Sequence, residues 1–95
     1  MPHYRVNIRG HNFRLNFDGK SEKMGFHTIR YAEAPNASQA ELEALRHFRE
    51  SSKYQELIGV ALNGTDDPPI LSAEETEETQ GGGPGRLPGL SFYRE

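Results

Sequence analysis

Residues 3–18 read His3-Tyr4-Arg5-Val6-Asn7-Ile8-Arg9-Gly10-His11-Asn12-Phe13-Arg14-Leu15-Asn16-Phe17-Asp18, and the way this stretch is divided decides the fold. From His3 to Arg9 the residues alternate, with Tyr4, Val6 and Ile8 apolar and Arg5, Asn7 and Arg9 polar. A period of two belongs to a strand with one buried face. Beyond Gly10-His11 the alternation resumes, with Phe13, Leu15 and Phe17 apolar. Two runs around a glycine read as a hairpin turning at Gly10. The other reading is one long strand bent at Gly10 by a bulge.

Working outward, Asp18-Gly19 is a turn signal, and the polar Lys20-Ser21-Glu22-Lys23 extends the loop toward Gly25. Aromatic and β-branched residues from Phe26 to Glu33 predict a strand with His27, Ile29 and Tyr31 on its core face and Thr28, Arg30 and Ala32 on the other. Pro35-Asn36-Ala37-Ser38 ends it and starts a helix, with Ser38 and Glu41 spaced as a capping box. Ala37, Ala40, Ala44, Leu45 and Phe48 make the apolar stripe of that helix, which runs at least to Arg49 or Ser52. Tyr54, Leu57, Ile58, Ala61 and Leu62 continue the helical spacing as a second segment, with a short strand over residues 58–62 as the rival. Asn63-Gly64 and Asp66-Asp67-Pro68-Pro69 close it, and Ile70 opens a strand that runs through Glu74, Glu75, Glu77 and Glu78.

Three strands, a helix and a fourth strand predict an α+β domain over residues 1–79, in which a small, mainly antiparallel sheet of β-β-β-α-β order packs one face on one main helix. Its expected core is Tyr4, Val6, Ile8, Phe13, Leu15, Phe17, Ile29, Tyr31, Leu45 and Phe48. The order of elements over roughly residues 3–77 resembles the layout of HicB-type antitoxins, a likeness that carries over no residue and no activity. Residues 80–89 are rich in glycine and proline and predict a flexible linker. The apolar Leu90, Phe92 and Tyr93 then form a docking segment or a short edge strand.

Ninety-five residues make one domain with a modest core, and the absence of cysteine excludes disulfides, thiolate metal sites and cysteine nucleophiles. A cysteine-free chain without an apolar run long enough for a membrane span or a signal segment is expected in the cytoplasm. The net charge of −3 hides an asymmetry. Residues 1–30 carry six basic and two acidic side chains, a net +4, whereas residues 31–95 carry five basic and twelve acidic, a net −7.

The predicted alternation puts Arg5, Arg9, Arg14 and Arg30 together on the sheet face away from the helix, where four guanidinium forks could grip phosphates or carboxylates. Nucleic-acid binding through that face is the second functional reading, weakened by the acidic remainder and by aromatics that alternate toward the core. The glutamates of residues 74–78 alternate between faces, which favours cross-strand ion pairs over a metal site. The four histidines show no ligand spacing, the Gly81–Gly85 run lacks the lysine and strand-to-helix setting of a phosphate loop, and no serine sits in a nucleophile elbow. No catalytic, cofactor or metal residue is therefore assigned. The expectation is a non-enzymatic protein-binding domain that engages a partner protein or a second copy of itself, with Leu90, Phe92 and Tyr93 docking either in cis or, by strand addition, in trans.

Overall fold

The computed structural model describes residues 1–64, 66–79 and 89–95. Residues 80–88, and with them all of the expected linker but Gly89, lie outside the described residues, as does the expected placement of the Phe17 side chain in the core. The elements run β1 (His3–Phe17), β2 (Lys20–Glu33), α1 (Ala37–Glu50), α2 (Ser52–Val60), β3 (Ile70–Thr79) and β4 (Ser91–Arg94). The strands form one antiparallel sheet in the order β3-β1-β2-β4, and the helices cover one of its faces. The α+β class holds, and the chain ends in the short edge strand β4.

The first two alternating runs are one strand. No turn forms at Gly10; a bulge interrupts the β1–β2 ladder between Gly10 and Phe13, with Asn12 at φ 61°. The observed order is therefore β-β-α-α-β-β, which differs from the β-β-β-α-β layout that carried the likeness to the antitoxins. The hairpin turn lies at Asp18-Gly19, where both residues have positive φ (52° and 80°), as a two-residue primed turn requires. Lys20–Lys23 are consequently strand residues paired with Arg14–Phe17, and not loop.

The bulge is held by side chains. Asn12 donates from Nδ2 to Asp67 Oδ1 at 2.8 Å, Asn63 donates from Nδ2 to the Asn12 backbone carbonyl at 2.6 Å, and Asn63 Oδ1 accepts from the Arg14 backbone N–H at 3.1 Å. The extra residue puts Phe13 and Leu15 on the same face as Tyr4, Val6 and Ile8.

It also reverses the expected face of β2. Ile8 stands opposite Thr28 and Val6 opposite Arg30, so Phe26, Thr28, Arg30 and Ala32 look toward the helices. Ile29 and Tyr31 are half-buried on the other face and His27 is exposed there, contrary to the expected core. Phe26 anchors the arrangement: its ring meets Phe13 at 5.2 Å and Phe48 at 5.7 Å, and it lies where a Cβ on Gly10 would stand.

Helix α1 buries Ala40, Ala44 and Phe48, with Leu45 packed beside them. Its cap is Asn36, whose Oδ1 accepts from Gln39 N–H at 2.9 Å, and not Ser38; a good capping side chain two residues upstream starts the helix first. Ser51 joins the helices, donating to the Phe48 carbonyl at 2.6 Å and accepting from Tyr54 N–H at 3.3 Å. Residues 52–60 are helical, and the rival strand over residues 58–62 does not form. Tyr54 closes the core edge-on to Phe13 and against Phe48, and burial raises its phenol pKa.

Candidate functional site

The face of the sheet away from the helices carries the charged residues, already matched. Arg5 donates to Glu77 at 2.7 Å. Arg9 lies 3.6 Å from Glu74 and donates from Nε to the Tyr93 hydroxyl at 2.7 Å, with its guanidinium 5.4 Å from the centre of the Tyr93 ring. The hydrogen bond to Tyr93, followed by attraction to Tyr93 and Glu74, raises the Arg9 pKa. Arg14 stands 3.7 Å from Asp67. Cross-strand pairing of β1 with the glutamates of β3 thus follows the charge alternation.

Arg30 is not on this face. It is 7% exposed beneath α1, its guanidinium 5.0 Å from the centre of the Phe48 ring, and it donates to Thr28 Oγ1 and the Ile29 carbonyl at 2.8 Å each. Burial lowers its pKa. The four arginines do not form one patch: three share the open face with carboxylates and the fourth lines the core.

A cleft of about 340 Å³ on the open face is lined by Asn7, Arg9, His27, Glu74, Glu75 and Tyr93. Among the described residues no group of three or more His, Asp or Glu side chains is arranged to hold a metal ion. No helix among them is long and apolar enough to cross a membrane.

Leu90, Phe92 and Tyr93 are brought to the opposite sheet edge, in cis. Strand β4 pairs with β2 over Met24–His27, and three polar anchors hold it. Tyr93 crosses Gly25 to reach Arg9, and a Cβ on Gly25 would fall 2.6 Å from the Tyr93 ring. Arg94 lies 2.9 Å from Glu22, and Glu95 accepts from the Asn12 backbone N–H at 2.6 Å. On the helix side Phe92 packs its ring 5.8 Å from that of Phe26.

Phe92 also walls two apolar depressions. One, of about 450 Å³, lies between α2 and β4 and is lined by Lys53, Glu56, Leu57, Val60, Leu90 and Phe92. The other, of about 240 Å³, is lined by Leu15, Asn16, Met24 and Phe92. Val60 is 64% exposed and Phe92 45%. Sequence reasoning singled out Leu90 and Phe92 but missed Val60, whose only signal was its place in a helical segment after the main stripe had ended. Comparison of the chain with protein-family models, curated proteins and solved structures finds no match.

Proposed function

We propose that this chain is a small non-enzymatic cytoplasmic protein-binding module, whose groove between α2 and β4 receives an apolar segment of a partner protein, a second copy included. The observation that carries this reading is the gathering of Val60, Leu90 and Phe92, partly or largely exposed, around the buried Leu57 in one depression. Apolar side chains scattered over a surface need no account, whereas a contiguous patch with a polar rim, here Lys53 and Glu56, marks interaction surfaces. The open face supports nucleic-acid binding less well, because a phosphate would compete with Glu77, Glu74 and Asp67 for Arg5, Arg9 and Arg14.

The test is affinity capture from the host with the tagged chain and its Val60→Asp variant. Val60 is exposed, so the variant keeps its helical circular dichroism, and capture of bound protein is expected to fall several-fold. Equal capture by both chains would sink the groove reading.

A further inference from the structure

The ladder of β4 points to its partner. In an antiparallel pair, residues that exchange N–H···O bonds with the neighbouring strand alternate with residues whose backbone groups point the other way. Glu95 donates its N–H to the Lys23 carbonyl at 3.1 Å, which identifies Lys23 and Glu95 as a hydrogen-bonded pair. Counting back in the observed register, Tyr93 with Gly25 and Ser91 with His27 are also hydrogen-bonded pairs. Phe92 lies between them, so its N–H and C=O point away from β2, toward the outer edge of the sheet. Among the described residues no strand occupies that edge.

We infer that a second copy of this chain occupies it, with the two β4 strands antiparallel across a two-fold axis and each Phe92 backbone hydrogen-bonded to the other, so that two four-stranded sheets become one of eight. The inference rests on the groove being a protein-docking surface and names what docks there. Side-chain direction limits the register, because residues opposite each other in an antiparallel pair share a face. Phe92 looks to the helix side and Tyr93 to the open side, so Phe92 cannot face the partner's Tyr93. A two-fold axis at Phe92 sets Ser91 against the partner's Tyr93, Leu90 against the partner's Arg94 and Gly89 against the partner's Glu95, with no like charges opposed.

A two-fold axis normal to the sheet keeps both pairs of helices on the same side. The two apolar grooves then adjoin, with the two Phe92 rings between them. At the other edge of the sheet, charge opposes the same solution over the acidic half of β3. Every antiparallel self-pairing of β3 centred on residues 74–78 sets glutamate against glutamate, counting Glu74, Glu75, Glu77 and Glu78.

The full chain contains no cysteine, so a single introduced thiol reports its own neighbours. Opposed Cα atoms of a hydrogen-bonded antiparallel pair lie about 5.5 Å apart, inside the roughly 4.4–6.8 Å that a disulfide spans. Under dilute oxidation Phe92→Cys is expected to give a disulfide-linked dimer, and Ile70→Cys, exposed on the β3 strand, to stay monomeric. Because Phe92→Cys also removes an apolar ring, the unaltered chain supplies the second measurement. Hydrogen exchange at the Phe92 amide is expected to quicken at least about tenfold as the chain is diluted from dimer to monomer, as followed by light scattering. Amides in β1 should keep their rates.

A dimer whose Phe92 amide exchanges at the same rate at every concentration, or one that Ile70→Cys links as readily as Phe92→Cys, overturns the inference and leaves the groove reading standing. A chain that stays monomeric up to millimolar concentration overturns it as well. Equal capture by the Val60→Asp chain is a separate result, which overturns the groove reading itself.

Discussion

The two edges of the sheet are built on opposite terms. Strand β3 offers ten residues of edge, the longer template for another chain, and carries four glutamates, of which Glu74, Glu75 and Glu77 share the open face, contrary to the expected alternation, because the β1–β3 ladder shifts between Asn7 and Ile8. Strand β4 offers four, with no acidic residue among them, and sets Phe92 beside an apolar groove. Long edges invite unwanted pairing, and charge is a common protection. The β3 glutamates do double duty, since Glu77 and Glu74 also neutralise Arg5 and Arg9. The short edge is tied to its own sheet by Tyr93 and Glu95 on the open face and by Phe92 and Arg94 on the helix side. Among the described residues no strand covers its outward backbone.

The largest test of this contrast is Phe26→Ala. The ring holds Phe13, Phe48 and Phe92 together, so its loss should cost about 3–5 kcal/mol and lower the melting temperature by well over 10 °C. Hydrogen exchange should show β4 released before β3. A variant in which the two edges loosen together would break the comparison.

Gly25→Ala asks for less. The new Cβ meets the Tyr93 ring at 2.6 Å, and displacing that ring should cost about 1–3 kcal/mol. Faster exchange is expected in residues 91–95 with β3 unchanged. Tyr93→Phe keeps the ring and removes the hydroxyl that accepts from Arg9. A loss of about 1 kcal/mol on chemical denaturation is expected.

Glu75→Lys with Glu78→Lys sharpens the other half of the comparison. Neither exposed side chain makes an ion pair with a described residue, so stability should move by no more than about 0.5 kcal/mol. Sizing of this variant should show whether removing the negative charge lets the β3 edge associate. An unaltered size at high concentration would mean that the glutamates serve the open-face pairs alone.

The smallest effect concerns neither edge. The hydrogen bond from Arg46, aided by its charge and that of His47, holds the Glu43 carboxyl below its ordinary range. A carboxyl depressed in the folded state stabilises the fold above its unfolded pKa, and the contribution disappears as pH falls through the lower folded value. Glu43→Gln should therefore remove a small part of the stability difference between pH 7 and pH 3, read from thermal melts, and leave both edges alone.

Much of this architecture is legible in residue order. The alternation of β1, the stripe of α1, the acidic strand and the apolar β4 each declare themselves through periodicity. The face of β2 does not, and the cause is a single residue. An unbroken ladder from the Asp18-Gly19 turn, in which Phe17 faces Lys20, would set Ile8 against Ile29 and Val6 against Tyr31. That is the arrangement the apolar pattern favours. The bulge at Asn12 shifts the upper ladder by one, so Ile8 meets Thr28 and Val6 meets Arg30. Gly10, with the Phe26 ring filling the place of its missing side chain, is the local mark of that shift, but it can be read only once the partner residue is known. The candidate site was legible where it lies on β4. Its helical wall was hidden because Leu57 and Val60 fall in a nine-residue helix with a weak stripe. The arginine patch failed with the face of β2, since Arg30 moved to the core.

Ser51 ends one helix and begins the next through a single hydroxyl. It therefore acts as a joint. The core fixes α1 through Ala40, Ala44 and Phe48 and α2 through Tyr54 and Leu57, so the joint at Ser51 sets the direction in which α2 presents Val60 to the groove. By thermodynamic reciprocity, an occupant that prefers one direction of α2 must in turn favour the same geometry at this joint. Fraying of the last turn of α1 would then report from a distance whether the groove is filled.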